Sequence, residues 1–73
     1  MMIKVVFVHN QSNMSDTVVI VEEKVAIEIQ HDFRRIVRDA SFANMLEFHA
    51  INSFVQISGN SIQEISYTNV LEE

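Results

Sequence analysis

The chain has 73 residues, 48% of them hydrophobic, a net charge of −5, one glycine, no proline and no cysteine. A chain of this length makes one domain. Without cysteine it has no disulfide framework. One glycine excludes the phosphate-binding loop, the dinucleotide fingerprint and the nucleophile elbow, each of which needs at least two.

Ordering 73 residues costs on the order of 110 kcal/mol, which one small core barely offsets. Self-association is the common remedy when disulfides are absent, so a homo-oligomer is expected. The longest apolar run, Val18-Val19-Ile20-Val21, falls far short of the roughly 18 residues of a membrane span. One early lysine and no cleavage site argue against a signal peptide, so the expected location is cytoplasmic. With glycine and proline so scarce, turns must use the six Asn, three Asp and seven Ser.

Met2 to Val8 reads as the first strand. Ile3, Val5 and Phe7 share a face, and Val6 and Val8 make the other face apolar too, as in a central strand. Asn10 to Asp16 is a polar loop. From Thr17 to Ile29 the odd positions are apolar except Glu23, a period-2 pattern. As one strand, 13 residues would span about 43 Å, more than the ~30 Å width of a globule of this size. The segment must bend, turn near Glu22-Glu23-Lys24, or project as an arm.

His31 to about Phe42 reads as the helix, with an apolar stripe of Phe33, Ile36, Val37 and Ala40. Asp32 suits its first turn. The helix ends near Asn44 or continues to Asn52. The first option is preferred, because Leu46, Phe48 and Ala50 alternate with Glu47 and His49 as on a half-buried strand. Asn52-Ser53 then turns the chain, Phe54 to Ser58 forms a strand, and Gly59-Asn60 carries a two-residue hairpin signal. Ile62 to Ser66 returns, and Tyr67 to Leu71 adds a last strand.

Chemistry is thinly marked. Glu47 and His49 share a strand face and, with His9 or His31, could form a metal or acid–base site. No metal-ligand spacing supports this, and a solvated sheet face is the plainer reading. Arg34, Arg35 and Arg38 are three of only five basic residues. They flank the helix stripe and suit an acidic partner, since arginine binds such groups bidentately. Arg35 can also pair with Asp32 and Asp39. The net charge of −5 removes long-range attraction to nucleic acid. Five Phe and 19 Val plus Ile exceed what one small core comfortably hides, which points to a covered interface.

The sequence therefore predicts one α+β domain over residues 1–73: strand, strand, one central helix, then a short antiparallel β-meander. It predicts a small acidic, non-enzymatic protein-interaction module of accessory or inhibitor type, self-associating, with Arg34, Arg35 and Arg38 as partner-binding residues. No catalytic residue, metal or cofactor is assigned. A second reading is a small nucleic-acid-binding, β-barrel-like domain using the same arginines with Tyr67. A third is an enzyme or metal protein with a site shared between subunits, built from His49, Glu47 and His31.

Overall fold

The computed structural model describes residues 1–39 and 45–70. Strand β1 (Met2–His9) leads through a polar loop to β2 (Thr17–Glu22), and helix α1 (Glu23–Arg38) follows directly. Strands β3 (Met45–His49) and β4 (Phe54–Ser58) come next, then one 3₁₀ turn at Gly59–Ser61, then β5 (Ile62–Asn69). The fold is α+β, with one helix and two antiparallel sheets. One sheet has the order β2-β1-β5, and the other is the β3-β4 hairpin.

The expected central strand is central. β1 pairs with β2 (Val5↔Val19) and with β5 (Val5↔Tyr67). Its odd residues Ile3, Val5, Phe7 and His9 are buried. Its even residues Met2, Val6 and Val8 are only half-buried. The helix and the hairpin pack on the odd face. There Phe7 stacks on Phe48 with ring centroids 5.7 Å apart and 18° between planes, joining the two sheets. Leu46, Ile57, Val21, Ile29 and Ile36 complete the core around this pair.

The strand predicted from Thr17 to Ile29 stops at Glu22. Residues 23–30 are the first half of α1. Val25, Ile27 and Ile29 look alternating, but on a helix Ile27 points away from the other two, and it is 52% exposed. The buried stripe is Ala26, Ile29, Phe33 and Ile36, at i, i+3, i+7 and i+10. Glu, Lys, Ala and Gln in this stretch favour helix, and Glu23 in the first turn suits the helix dipole. Glu22 caps α1 with extended backbone and no side-chain bond. The Glu23 N–H donates instead to the Met1 carbonyl at 3.0 Å, so the start of β1 satisfies a group the helix leaves open. This contact fixes the strand-to-helix switch without a loop.

The helix ends at Arg38, where the Asp39 N–H closes on the Arg35 carbonyl at 2.9 Å. Val37, predicted in the buried stripe, is 70% exposed because the stripe runs through Ala26 and Ile29 instead. Ala40, Phe42 and Asn44 lie outside the described residues. The continuation to Asn52 does not occur: Met45–His49 is a strand, with Leu46 and Phe48 inward and Glu47 and His49 outward.

Gly59-Asn60 is not a hairpin turn. β4 pairs with β3, and β5 pairs with β1 in the other sheet. No described residue has positive φ, which the two-residue hairpin turns require. The 3₁₀ turn instead carries the chain from one sheet to the other. The non-local partner prevails because β1 gives Ile62, Ile65 and Tyr67 an apolar sheet to lie in. β5 is one strand of eight residues rather than two short ones. Leu71, the predicted end of the second, lies outside the described residues. Among the described residues no helix is long and apolar enough to cross a membrane.

Candidate functional site

The arginines occupy the second half of α1, and all three are exposed. Successive helix residues are about 100° apart. Arg34 and Arg38 therefore share one flank with Glu23, Ile27 and Gln30, while Arg35 lies on the side of Glu28 and Asp39. Arg35 and Arg38, three positions apart, are also neighbours, so the three occupy one outward sector of the helix of about 100°. The Arg34 flank borders a groove of about 200 Å³ lined by Ile3, Glu23, Ala26, Ile27, Gln30 and Tyr67. Burial raises the Tyr67 hydroxyl above its ordinary pKa, and the positive charge of Arg34 partly opposes this. Tyr67 thus stands at the junction of β5 and the arginine flank.

The histidine and carboxylate candidates are not brought together. Glu47 and His49 share the outer face of β3, as period 2 requires. Glu47 accepts a hydrogen bond from the Gln56 amide at 3.3 Å. The His49 ring tilts against Phe54 with centroids 4.8 Å apart. His31 is exposed on α1. Among the described residues no group of three or more His, Asp or Glu is placed to hold a metal. A cleft of about 510 Å³ lies between the start of α1 and the β3–β4 connection. Its wall includes Glu22, Lys24, Glu28 and His49. All four are exposed, whereas catalytic acids and bases are tuned by burial and held in place.

His9 is the buried polar residue, 8% exposed. Its Nε2 lies 2.8 Å from the Thr17 hydroxyl, and its Nδ1 lies 3.4 Å from the Ser61 hydroxyl. Ser61 donates its own proton to the Ser58 carbonyl at 2.8 Å. The Ser61 oxygen is therefore the acceptor for His9 Nδ1–H, and Nε2 faces the Thr17 hydroxyl. With its proton committed elsewhere, Ser61 is not activated by the imidazole as a nucleophile would be. The group is a clasp. Asn10 reinforces it, donating from its backbone to the Ser61 carbonyl and from its side chain to the Asn60 carbonyl, each at 2.8 Å.

Surfaces remain that nothing in the described fold covers. The outer face of the three-stranded sheet carries Val6, Val8, Val18 and Ile20, and Val18 is 54% exposed. Phe54, Ile51, Met45 and Ile27 are also about half exposed. Among the described residues the outer edge of β5 has no paired strand. Sequence reasoning located the surplus of apolar residues and, in Val6 and Val8, one face that carries it, but not the exposed Val18, Ile27, Met45, Ile51 and Phe54. No protein-family model, curated protein or solved structure matches this chain.

Proposed function

We propose that this chain is a small, acidic, non-enzymatic protein-interaction module that self-associates, acting in the cytoplasm as an accessory or inhibitor-type protein. The observation that supports it is the half-dressed sheet. One face holds the core, and the other carries exposed Val18 among half-buried Val6, Val8 and Ile20, beside a strand edge with no partner among the described residues. Partly exposed apolar side chains grouped on one sheet face suit an interaction surface.

Sedimentation equilibrium at micromolar concentration tests the self-association. A mass above the 8.4 kDa of one chain is expected. A single species at that mass would overturn it. Affinity capture from the native host, analysed for stoichiometric protein and for nucleic acid, tests the wider role.

A second reading has one observation in its favour. Arg34 is near enough to Tyr67 to act on its hydroxyl, and Arg38 lies one turn further along the same flank. Single-stranded nucleic acid is held by that combination. Binding of this kind weakens steeply with salt. Failure to retard any RNA or DNA at low salt removes the reading.

A further inference from the structure

Backbone bond direction alternates along a strand, so it can be followed from β1 to the free edge. Glu23 N–H bonds the Met1 carbonyl, in register with the β1–β2 ladder, so odd residues of β1 bond toward β2. Val70 N–H bonds the Met2 carbonyl at 3.1 Å, so even residues of β1 bond toward β5. In β5 the even residues Glu64, Ser66, Thr68 and then Val70 therefore bond inward. Ile65, Tyr67 and Asn69 direct their N–H and C=O groups outward, where the described residues supply no next strand. The ladder slips between Val8 and His9, leaving Gln63 as the extra residue of a bulge. Bulges end regular pairing at an edge. The regular free edge is thus Ile65 to Asn69, with Tyr67 at its centre.

The other edges are less open. The outer side of β2 is occupied where Ile51 N–H donates to the Ile20 carbonyl at 3.0 Å. The outer side of β4 is equally short, Phe54–Ser58, and its Ser58 carbonyl already accepts from the Ser61 hydroxyl at 2.8 Å.

We infer that two copies of this chain join along β5, antiparallel, about a two-fold axis at Tyr67, making one continuous six-stranded sheet. The inference rests on the self-associating reading above and names its surface. The Tyr67 register alone pairs all three outward residues: Ile65 with Asn69 of the second copy, Tyr67 with Tyr67, and Asn69 with Ile65. These pairs exchange six backbone hydrogen bonds. The register also separates charge. Glu64, the one charged residue of β5, falls opposite Val70 of the copy and not opposite its own equivalent.

The axis stands perpendicular to the sheet, so both helices lie on one side and their β5-facing flanks run antiparallel. Glu23 of each copy then lies toward the Arg34–Arg38 end of the other, acid toward base. The groove beside Tyr67, open in the single chain, becomes the floor of this seam.

Native cysteine is absent, which makes cross-linking a clean test. Ser66 and Thr68 are exposed on the outer face. In this register Ser66 of one copy opposes Thr68 of the other in a non-hydrogen-bonded pair. There Cα atoms approach to about 4.5 Å, within disulfide reach. Two Ser66 residues sit diagonally, about 8 Å apart, beyond it. Ser66→Cys and Thr68→Cys chains, mixed and mildly oxidised, are expected to give a mixed 66–68 disulfide in high yield by intact mass. Neither chain alone should link efficiently. Asn69→Pro removes an outward donor without touching the β1 ladder, and should weaken association about tenfold or more.

Sedimentation of the unmodified chain separates the failures. Association without the 66–68 link, or with unaltered strength in Asn69→Pro, overturns the β5 seam and leaves the self-associating reading standing. A single species at 8.4 kDa overturns both.

Discussion

Replacing His9 by alanine should loosen the whole corner where β1, the Thr17 end of β2 and the 3₁₀ turn meet. The ring is 8% exposed and bonds Thr17 at 2.8 Å and Ser61 at 3.4 Å. Two lost side-chain hydrogen bonds cost about 1 kcal/mol each. Lost burial of the ring carbons adds about 1 kcal/mol. The sum, about 3 kcal/mol, lowers the melting temperature of a domain this size by about 12–24 °C. Urea denaturation followed by circular dichroism, at one fixed protein concentration, measures it. Ser61→Ala should cost less, about 1–2 kcal/mol, because it removes the bond to Ser58 and the longer of the two His9 contacts. A loss below about 1 kcal/mol for His9→Ala would show that the clasp contributes little and that the corner is held by Asn10 and the ladder alone.

Other outcomes follow from the same geometry. Ile29→Asp should unfold the chain, since Ile29 is 2% exposed, whereas Ile27→Asp should fold, because Ile27 faces out; both are read by circular dichroism, and equal damage would contradict the helical register. Phe48→Ala removes one ring of the stack that joins the two sheets and should cost about 3–5 kcal/mol in denaturant unfolding. Val37→Ser should change stability by no more than about 0.5 kcal/mol, as expected at a 70% exposed position. Burial raises the Tyr67 pKa, so the folded state favours the protonated phenol; that contribution is complete below the ordinary value of 10.0 and is lost as pH climbs through the raised folded value. Arg34→Met should raise it further, seen by ultraviolet titration of the phenolate, and a fall would contradict the placement of Arg34 beside the ring.

Strands β1, β3 and β4 were legible in the sequence. Leu46 and Phe48 alternate with Glu47 and His49, and the structure keeps that alternation. The start of α1 was not legible, because Val25, Ile27 and Ile29 satisfy period 2 while Ala26, Ile29 and Phe33 satisfy the helix. A tertiary bond from Glu23 to Met1 accompanies the helical choice, and no local pattern announces it. Gly59-Asn60 carried the right hairpin signal in the wrong place, since the better partner for β5 lies more than 50 residues back in β1. The His9 clasp joins residues 8 and 52 positions apart, beyond any spacing rule. The arginines were found as a sequence cluster, and the helix sets all three on its exposed face, with Arg34 and Arg38 on the flank toward Tyr67. The free edge of β5 has no sequence signature either, because it exists only once β1 has taken the other side.

Residue-resolved amide exchange as a function of protein concentration tests the β5 seam most directly. Ser66 and Thr68 bond to β1 and should exchange slowly at every concentration. Ile65, Tyr67 and Asn69 point outward and should exchange fast when dilute, then become protected in step with association. Fast exchange at these three amides while the mass of the particle rises would contradict the account.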